Sequence, residues 1–208
     1  MSQAASITTV QQDAASEKPD LRVGQLSDEV LVGCVRRGEV WAGEALVQRY
    51  HEPLFRYLNR QAGTANLAEE LLQQTWLSVF EHLEQFKYDE HGGVGFKAWV
   101  FRIATNKAHD LWRSRGREKH AYDGLKLVTD QEMPDSSHRI SGSEEEMKLR
   151  WAIDQLPDAQ KQVVLLRYYS DMKFIEIAEM LGCPLNTALG RMHKAMLKLK
   201  KLLESPMH

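Results

Sequence analysis

Near its C-terminus the chain reads Phe174-Ile175-Glu176-Ile177-Ala178-Glu179-Met180-Leu181-Gly182-Cys183-Pro184-Leu185-Asn186-Thr187-Ala188-Leu189-Gly190-Arg191-Met192. Phe174, Ile177, Ala178 and Leu181 recur at i, i+3, i+4 and i+7, one face of a short helix. Gly182 follows at once and supplies the positive φ that ends such a helix, and Pro184 disfavours helix at Cys183. A second apolar stripe then begins: Leu185, Ala188, Met192, Ala195, Met196, Leu199, Leu202 and Leu203. Ala178 is small where two helices must approach closely. Helix, glycine turn and helix make a helix-turn-helix, whose second helix enters the DNA major groove with its N-terminal residues at the base edges. The competing reading is an ordinary helical hairpin. Charge favours DNA: between residues 185 and 203 stand Arg191, Lys194, Lys198, Lys200 and Lys201 without a single acid.

Upstream of this stretch the pattern stays helical. Residues 158–169 form a helix carrying Val163, Val164, Leu166 and Arg167. Before Pro157, Ser143 is a good N-cap for a helix from Glu144 whose apolar side is Trp151, Ile153 and Leu156. Residues 121–143 lack sustained periodicity and hold Gly124, Pro134, Ser136, Ser137, Ser141 and Gly142, the composition of a linker between two helical domains.

The helix expected from Phe96 to about residue 117 interleaves Phe96, Trp99, Phe101 and Trp112 with Lys97, Arg102, Lys107, Arg113 and Arg115. Aromatic faces stack on unpaired bases and neighbouring cations hold the backbone, although aromatics at helical spacing are usually core. Asn106, Lys107, His109 and Asp110 add hydrogen-bonding groups of the kind that read base edges.

Residues 89–95 contain three glycines and read as a loop. Residues 67–86 form a helix with Leu71, Leu72, Thr75, Trp76, Val79, Phe80 and Leu83 on its apolar face and Glu69 and Glu70 at its exposed start. Ser27 caps a first helix with Val30, Leu31, Cys34 and Val35 inward. A second, over residues 41–59, turns Ala45, Leu46, Tyr50, Leu54 and Leu58 inward around an internal Pro53. Residues 1–20 are polar and aperiodic and read as a disordered tail.

Composition bounds the rest. At 208 residues the chain holds one domain or two small ones, and no run of apolar residues is long enough to span a membrane. Residues 1–20 do not read as a secretory signal, and Cys34 and Cys183 read as unpaired thiols, as expected of a cytoplasmic protein. The net charge of −2 conceals segregation, for residues 97–119 and 185–203 are both basic and the remainder is strongly acidic. No glycine loop cradles phosphate, no metal ligands cluster and no nucleophile stands beside a base, so neither metal nor cofactor nor enzymatic activity is expected. The expected fold is all-α, two small helical domains: a tail at residues 1–20, domains at 21–120 and 144–204, and the linker between them.

The residues now on the page resemble the extracytoplasmic-function (ECF) group of bacterial RNA polymerase sigma factors. Residues 156–168 together with 175–184 are similar to region 4. Ala68-Glu69-Glu70-Leu71-Leu72-Gln73-Gln74-Thr75-Trp76 is similar to region 2.2, and Phe96-Lys97-Ala98-Trp99-Val100-Phe101-Arg102-Ile103-Ala104-Thr105-Asn106 to regions 2.3 and 2.4. The resemblance implies a promoter-specificity subunit that binds core RNA polymerase, at the β′ clamp and β flap, and promoter DNA, with an anti-sigma protein as a further partner. It implies polymerase contact through Glu69, Glu70, Leu72, Gln73 and Thr75, with Trp76 and Phe80 internal. It implies −10 contact through Asn106, which captures an unstacked base, with Lys107, Trp99, Phe101, Asp110, Arg113, Arg115 and Arg117. For −35 DNA it implies Asn186, Thr187, Leu189, Gly190, Arg191, His193, Lys194 and Lys198. Where the family often reads Gly-Thr-Val-Lys-Ser-Arg this chain reads Asn186-Thr187-Ala188-Leu189-Gly190-Arg191, a departure that bears on the target sequence. Gln74 stands where an acid is common. A repressor or response-regulator output domain also explains the helix-turn-helix, but not the aromatic-basic helix or the acidic docking helix.

Overall fold

A computed structural model describes residues 23–88, 95–123 and 143–204, the side chains of 115–123 excepted. The chain divides into two compact units between Leu46 and Val47, inside a helix. In the first unit a 3-10 turn, Val23–Gln25, precedes α1, Asp28–Arg36. Ser27 caps α1 by accepting from the Val30 amide at 3.4 Å, and Asp28 and Glu29 sit at the positive end of the helix dipole. Gly38, at φ 86°, ends it, donating to the Val35 carbonyl. Leu31, Val32 and Cys34 are buried on α1, and Trp41, Ala42 and Leu46 on the first turns of α2, Val40–Ala62. Val30, expected inward, is exposed, while Val32 takes a buried position.

The second unit begins with the rest of α2, which runs through Pro53. Gly63 turns the chain at φ 82°, and Thr64 caps α3, Ala65–Glu81, through the Leu67 amide. A 3-10 turn, Leu83–Gln85, follows. The third helix thus starts and stops earlier than periodicity predicts, because the Thr64 cap opens it and the His82 amide and imidazole both turn back onto the Ser78 carbonyl. α4, Phe96–Asp123, packs on α3. Between α2, α3 and α4 lie Leu54, Tyr57 and Leu58, then Leu71, Thr75 and Val79, then Phe96, Val100, Phe101 and Ala104, all fully or nearly buried. Tyr57 meets Phe101 edge-on at 5.4 Å, and Phe86, Phe96 and Trp99 form a ring cluster with centroids 5.0–5.8 Å apart.

The remaining helices are α5, Glu144–Asp154, α6, Asp158–Tyr169, α7, Phe174–Met180, and α8, Leu185–Glu204. Ser143 caps α5 as the sequence predicts. Ala152, Leu156, Val164, Ala195 and Leu199 form a shared core, with Ile153, Met192, Leu202 and Leu203 packed against it. Ala152 rather than Trp151 takes the inner position; one residue is a turn of 100° on a helix, so Trp151 faces water. Leu185 and Met196 are likewise exposed, since small Ala188 and Ala195 hold the inner line of α8. All of these elements are helical, and no strand occurs among the described residues, so the all-α expectation holds. The expected tail, most of the loop and most of the linker lie outside the described residues.

Candidate nucleic-acid interface

The turn between α7 and α8 is built as its residues dictate. Gly182 takes φ 62°, its amide donating to the Glu179 carbonyl at 3.1 Å, and the Cys183 amide reaches the Ala178 carbonyl at 2.9 Å. Cys183 is unbridged, as is buried Cys34. Pro184 then offers its carbonyl to the Thr187 and Ala188 amides and starts α8. Ala178 and Ala188 are buried, which lets the two helices approach.

That geometry leaves Asn186, Thr187, Leu189, His193, Lys194 and Lys198 exposed on α8, with Gly190 and Arg191 half-buried. Leu189 is 41% exposed, and Leu185, Met196 and Leu197 of the same helix are exposed as well, so apolar groups stand among the basic ones. Arg191 directs one guanidinium nitrogen to the Cys183 sulfur at 3.8 Å, and Lys198 donates to the Gln155 carbonyl.

On α4 the predicted residues divide. Asn106, Asp110 and Arg113 are exposed, and Lys107 is half-buried. Phe101 is wholly buried against Tyr57, so it is core and cannot meet a base; Trp99 is half-buried in the cluster with Phe86 and Phe96. The unexpected aromatic surface is Trp112, 45% exposed. The side chains of Arg115 and Arg117 lie outside the described residues. Thr105, buried beside Asn106, fixes the phase of the helix by hydrogen bonding both the Tyr57 hydroxyl and the Phe101 carbonyl at 2.7 Å. Burial pushes the Tyr57 hydroxyl up to about 12, against the smaller opposing effect of its hydrogen bonds with Thr105 and Gln61.

On α3, Glu69, Glu70 and Gln73 are exposed, whereas Leu72 and Thr75 are buried and cannot form a docking surface. Thr75 spends its hydroxyl on the Leu71 carbonyl. Leu77, 63% exposed, and Phe80 occupy the outer face instead, which corrects the expectation that Phe80 is internal. Leu77 is four residues beyond Gln73 and eight beyond Glu69, a spacing that places all three on one side and was readable from the chain.

A groove of about 710 Å³ is lined by Gln61, His109, Trp112 and Arg113 on one side and by Asp158, Ala159, Lys161, Gln162, Leu181 and Arg191 on the other. Asp154 stands near it with each carboxylate oxygen engaged, Oδ2 by Arg60 at 2.9 Å and Oδ1 by Lys161 at 2.7 Å. Partial burial works to raise its pKa, but the hydrogen bonds and charges of Arg60 and Lys161 outweigh that and hold it below the usual carboxylate value. Among the described residues no group of His, Cys, Asp and Glu is arranged to hold a metal ion, and no helix is long and apolar enough to cross a membrane.

Comparison with known proteins matches Sigma-70 region 2 over residues 46–118 and Sigma-70 region 4 over residues 146–199. The chain is 26% identical to the ECF RNA polymerase sigma factor SigW of Bacillus subtilis, across 81% of this chain and 92% of that protein. It is 28% identical to the RNA polymerase sigma factor NccH of Alcaligenes xylosoxydans xylosoxydans, across 86% and 95%. Its fold is similar to that of CnrH, solved in complex with the cytosolic domain of CnrY, with a TM-score of 0.66 and 23% identity over 86% of this chain and 99% of that one. It is also similar to the sigma factor RpoE of Bartonella quintana, solved with the anti-sigma factor NepR, at a TM-score of 0.62 and 23% identity over 79% and 98%.

Proposed function

The chain belongs to the sigma-70 family of RNA polymerase sigma factors, in its ECF group, and on that premise we propose that it docks core polymerase through α3 and reads promoter DNA through α4 and α8. Membership makes it a factor that directs transcription initiation, a role without catalysis of its own. In this reading residues 21–120 bind the β′ clamp and melt the −10 element, residues 144–204 read −35 DNA beside the β flap, and 121–143 tether them. The docking face is Glu69, Glu70, Gln73, Leu77 and Phe80, an acidic edge beside exposed apolar groups, which suits a basic helical partner surface.

The observation that carries the reading is Asn106, held outward by the buried Thr105 next to it on a helix that also exposes Arg102, Asp110 and Arg113. Its carboxamide both donates and accepts, as capture of an extruded base edge requires, and holding that base offsets lost stacking so that opening proceeds without ATP hydrolysis. On α8, Asn186, Thr187 and His193 supply polar groups for base edges, Leu189 suits a thymine methyl, and Lys194 and Lys198 suit phosphates. The polar and apolar surfaces also fit a protein that sequesters the factor, and one sigma factor of similar fold, RpoE, was solved with an anti-sigma factor. Transcription from a genomic DNA library by core polymerase with and without the protein tests the reading: discrete new start sites support it, and identical transcripts contradict it.

A further inference from the structure

Gly38, Gly63 and Gly182 each take a positive φ where the chain leaves a helix, so the backbone itself calls for glycine at those positions. Gly190 is different. It lies in the second turn of α8, inside regular helix, and a Cβ there would meet nothing within 4 Å. Neither backbone conformation nor packing within the chain requires glycine at this point. Glycine weakens a helix interior relative to alanine, so α8 is less stable than it need be.

The position of Gly190 gives the missing side chain a use. Ala188 and Ala195 are buried on the inner line of α8, and the opposite side runs through Asn186, Gly190 and His193 at i, i+4 and i+7. Asn186 and His193 are exposed and project from that line. Gly190 does not project, so the line carries a notch one side chain deep, bordered along the chain by the exposed Leu189.

Leu189 and Gly190 have no side-chain donor or acceptor to offer a base edge, and their backbone groups belong to the helix. Among the groups that base pairs present in the major groove, the thymine C5-methyl is the apolar one. The same two positions are where this chain departs from Lys-Ser, a pair able to hydrogen-bond to bases, and both changes move the surface toward apolar contact. We infer that Leu189 and Gly190 form a recess on α8 that reads the methyl group of one thymine in the −35 element. Gly190 lets the helix backbone close on the methyl, and Leu189 covers its side. The inference rests on the promoter-reading assignment of α8 and names what α8 reads at this point.

The test uses the holoenzyme of core polymerase and the full chain, on a promoter located by mapping start sites on genomic DNA. Each thymine of the −35 element, on either strand, is replaced in turn by deoxyuridine, which removes the methyl and nothing else. The holoenzyme concentration that half-saturates open-complex formation should rise about threefold to fivefold at one thymine, the effect of about one buried methyl group. Gly190→Ala fills the recess and Leu189→Ala removes its wall. Each should lose at least as much on the unmodified promoter and lose nothing further on the deoxyuridine one. Gly190→Ala should also raise the melting temperature of the protein by about 2–4 °C, so that tighter folding and weaker binding appear in one variant. A −35 element without thymine, no thymine sensitive to deoxyuridine, initiation by Gly190→Ala equal to that of the native chain, or a lowered melting temperature overturns the recess while the promoter reading stands. A holoenzyme that gives no discrete start sites, or ignores the −35 duplex, defeats the promoter-reading assignment of α8 and the recess with it.

Discussion

The Tyr57 hydroxyl on α2 and the Thr105 hydroxyl on α4 share a buried hydrogen bond of 2.7 Å, and this bond sets which face of α4 meets water. Thr105 points inward, so its neighbour Asn106 points outward. Tyr57 also accepts from Gln61, which places three polar side chains in one satisfied network inside an apolar core.

Tyr57→Phe keeps the ring packing and removes the hydroxyl from that network, so the variant should lose about 1 kcal/mol in urea unfolding. In the native protein the Tyr57 pKa, raised to about 12 from 10.0, makes the sign of its pH dependence definite. Its contribution is fully present below about pH 10 and is lost as pH rises through about 12, worth about 3 kcal/mol across that window. Stability measured across this alkaline range should fall less steeply in Tyr57→Phe. Equal slopes would contradict the burial account.

Asn106→Ala changes an exposed side chain and should leave thermal stability unchanged within about 0.5 kcal/mol. Open-complex formation, read by permanganate reactivity of unpaired thymines, should fall about tenfold or more, in line with the loss of a bidentate base contact. Binding to core polymerase should not change. Normal opening by this variant removes the base-capture role from Asn106.

Leu77→Asp alters a residue that is 63% exposed and absent from the core, so the fold should survive. The affinity for core polymerase should drop about tenfold, as expected for a charge placed in an apolar contact. Thr75→Val, by contrast, changes a buried hydroxyl that bonds the Leu71 carbonyl, and its effect should appear in stability while affinity stays near normal. Equal polymerase affinities for Leu77→Asp and the native chain would move the docking face elsewhere.

Gly182→Ala tests the turn. A Cβ there meets nothing within 4 Å, so the penalty is purely that of φ 62°, roughly 1–2 kcal/mol. Gly182→Asn should recover part of it, since asparagine tolerates the left-handed region. Identical melting of Gly182→Ala and the native chain would contradict the backbone argument.

The helix-turn-helix was legible because periodicity and backbone chemistry agree there: Ile177 and Ala178 are buried on the face the spacing marks, and Gly182 stops α7 where it must. Caps at Ser27 and Ser143 were legible for the same local reason. Phase was harder. α4 carries aromatics on more than one side, and the sequence could not tell that Phe101 turns in and Trp112 turns out, since Tyr57, forty-eight positions from Thr105, decides it. Leu72 and Thr75 look amphipathic in a docking motif yet are consumed by the α3 core. The Arg60–Asp154 pair had no signature at all, because two charges far apart in the chain leave no period to detect.

The central claim is that α3 carries core polymerase, and retention of purified bacterial core polymerase by the immobilised full chain, with no DNA present, tests it most directly. The native protein should hold polymerase and Glu70→Lys, which reverses an exposed charge on the docking face, should release most of it. Retention by neither protein, with sequence-specific capture of duplex DNA by both, would contradict the account and leave a DNA-binding regulator in its place.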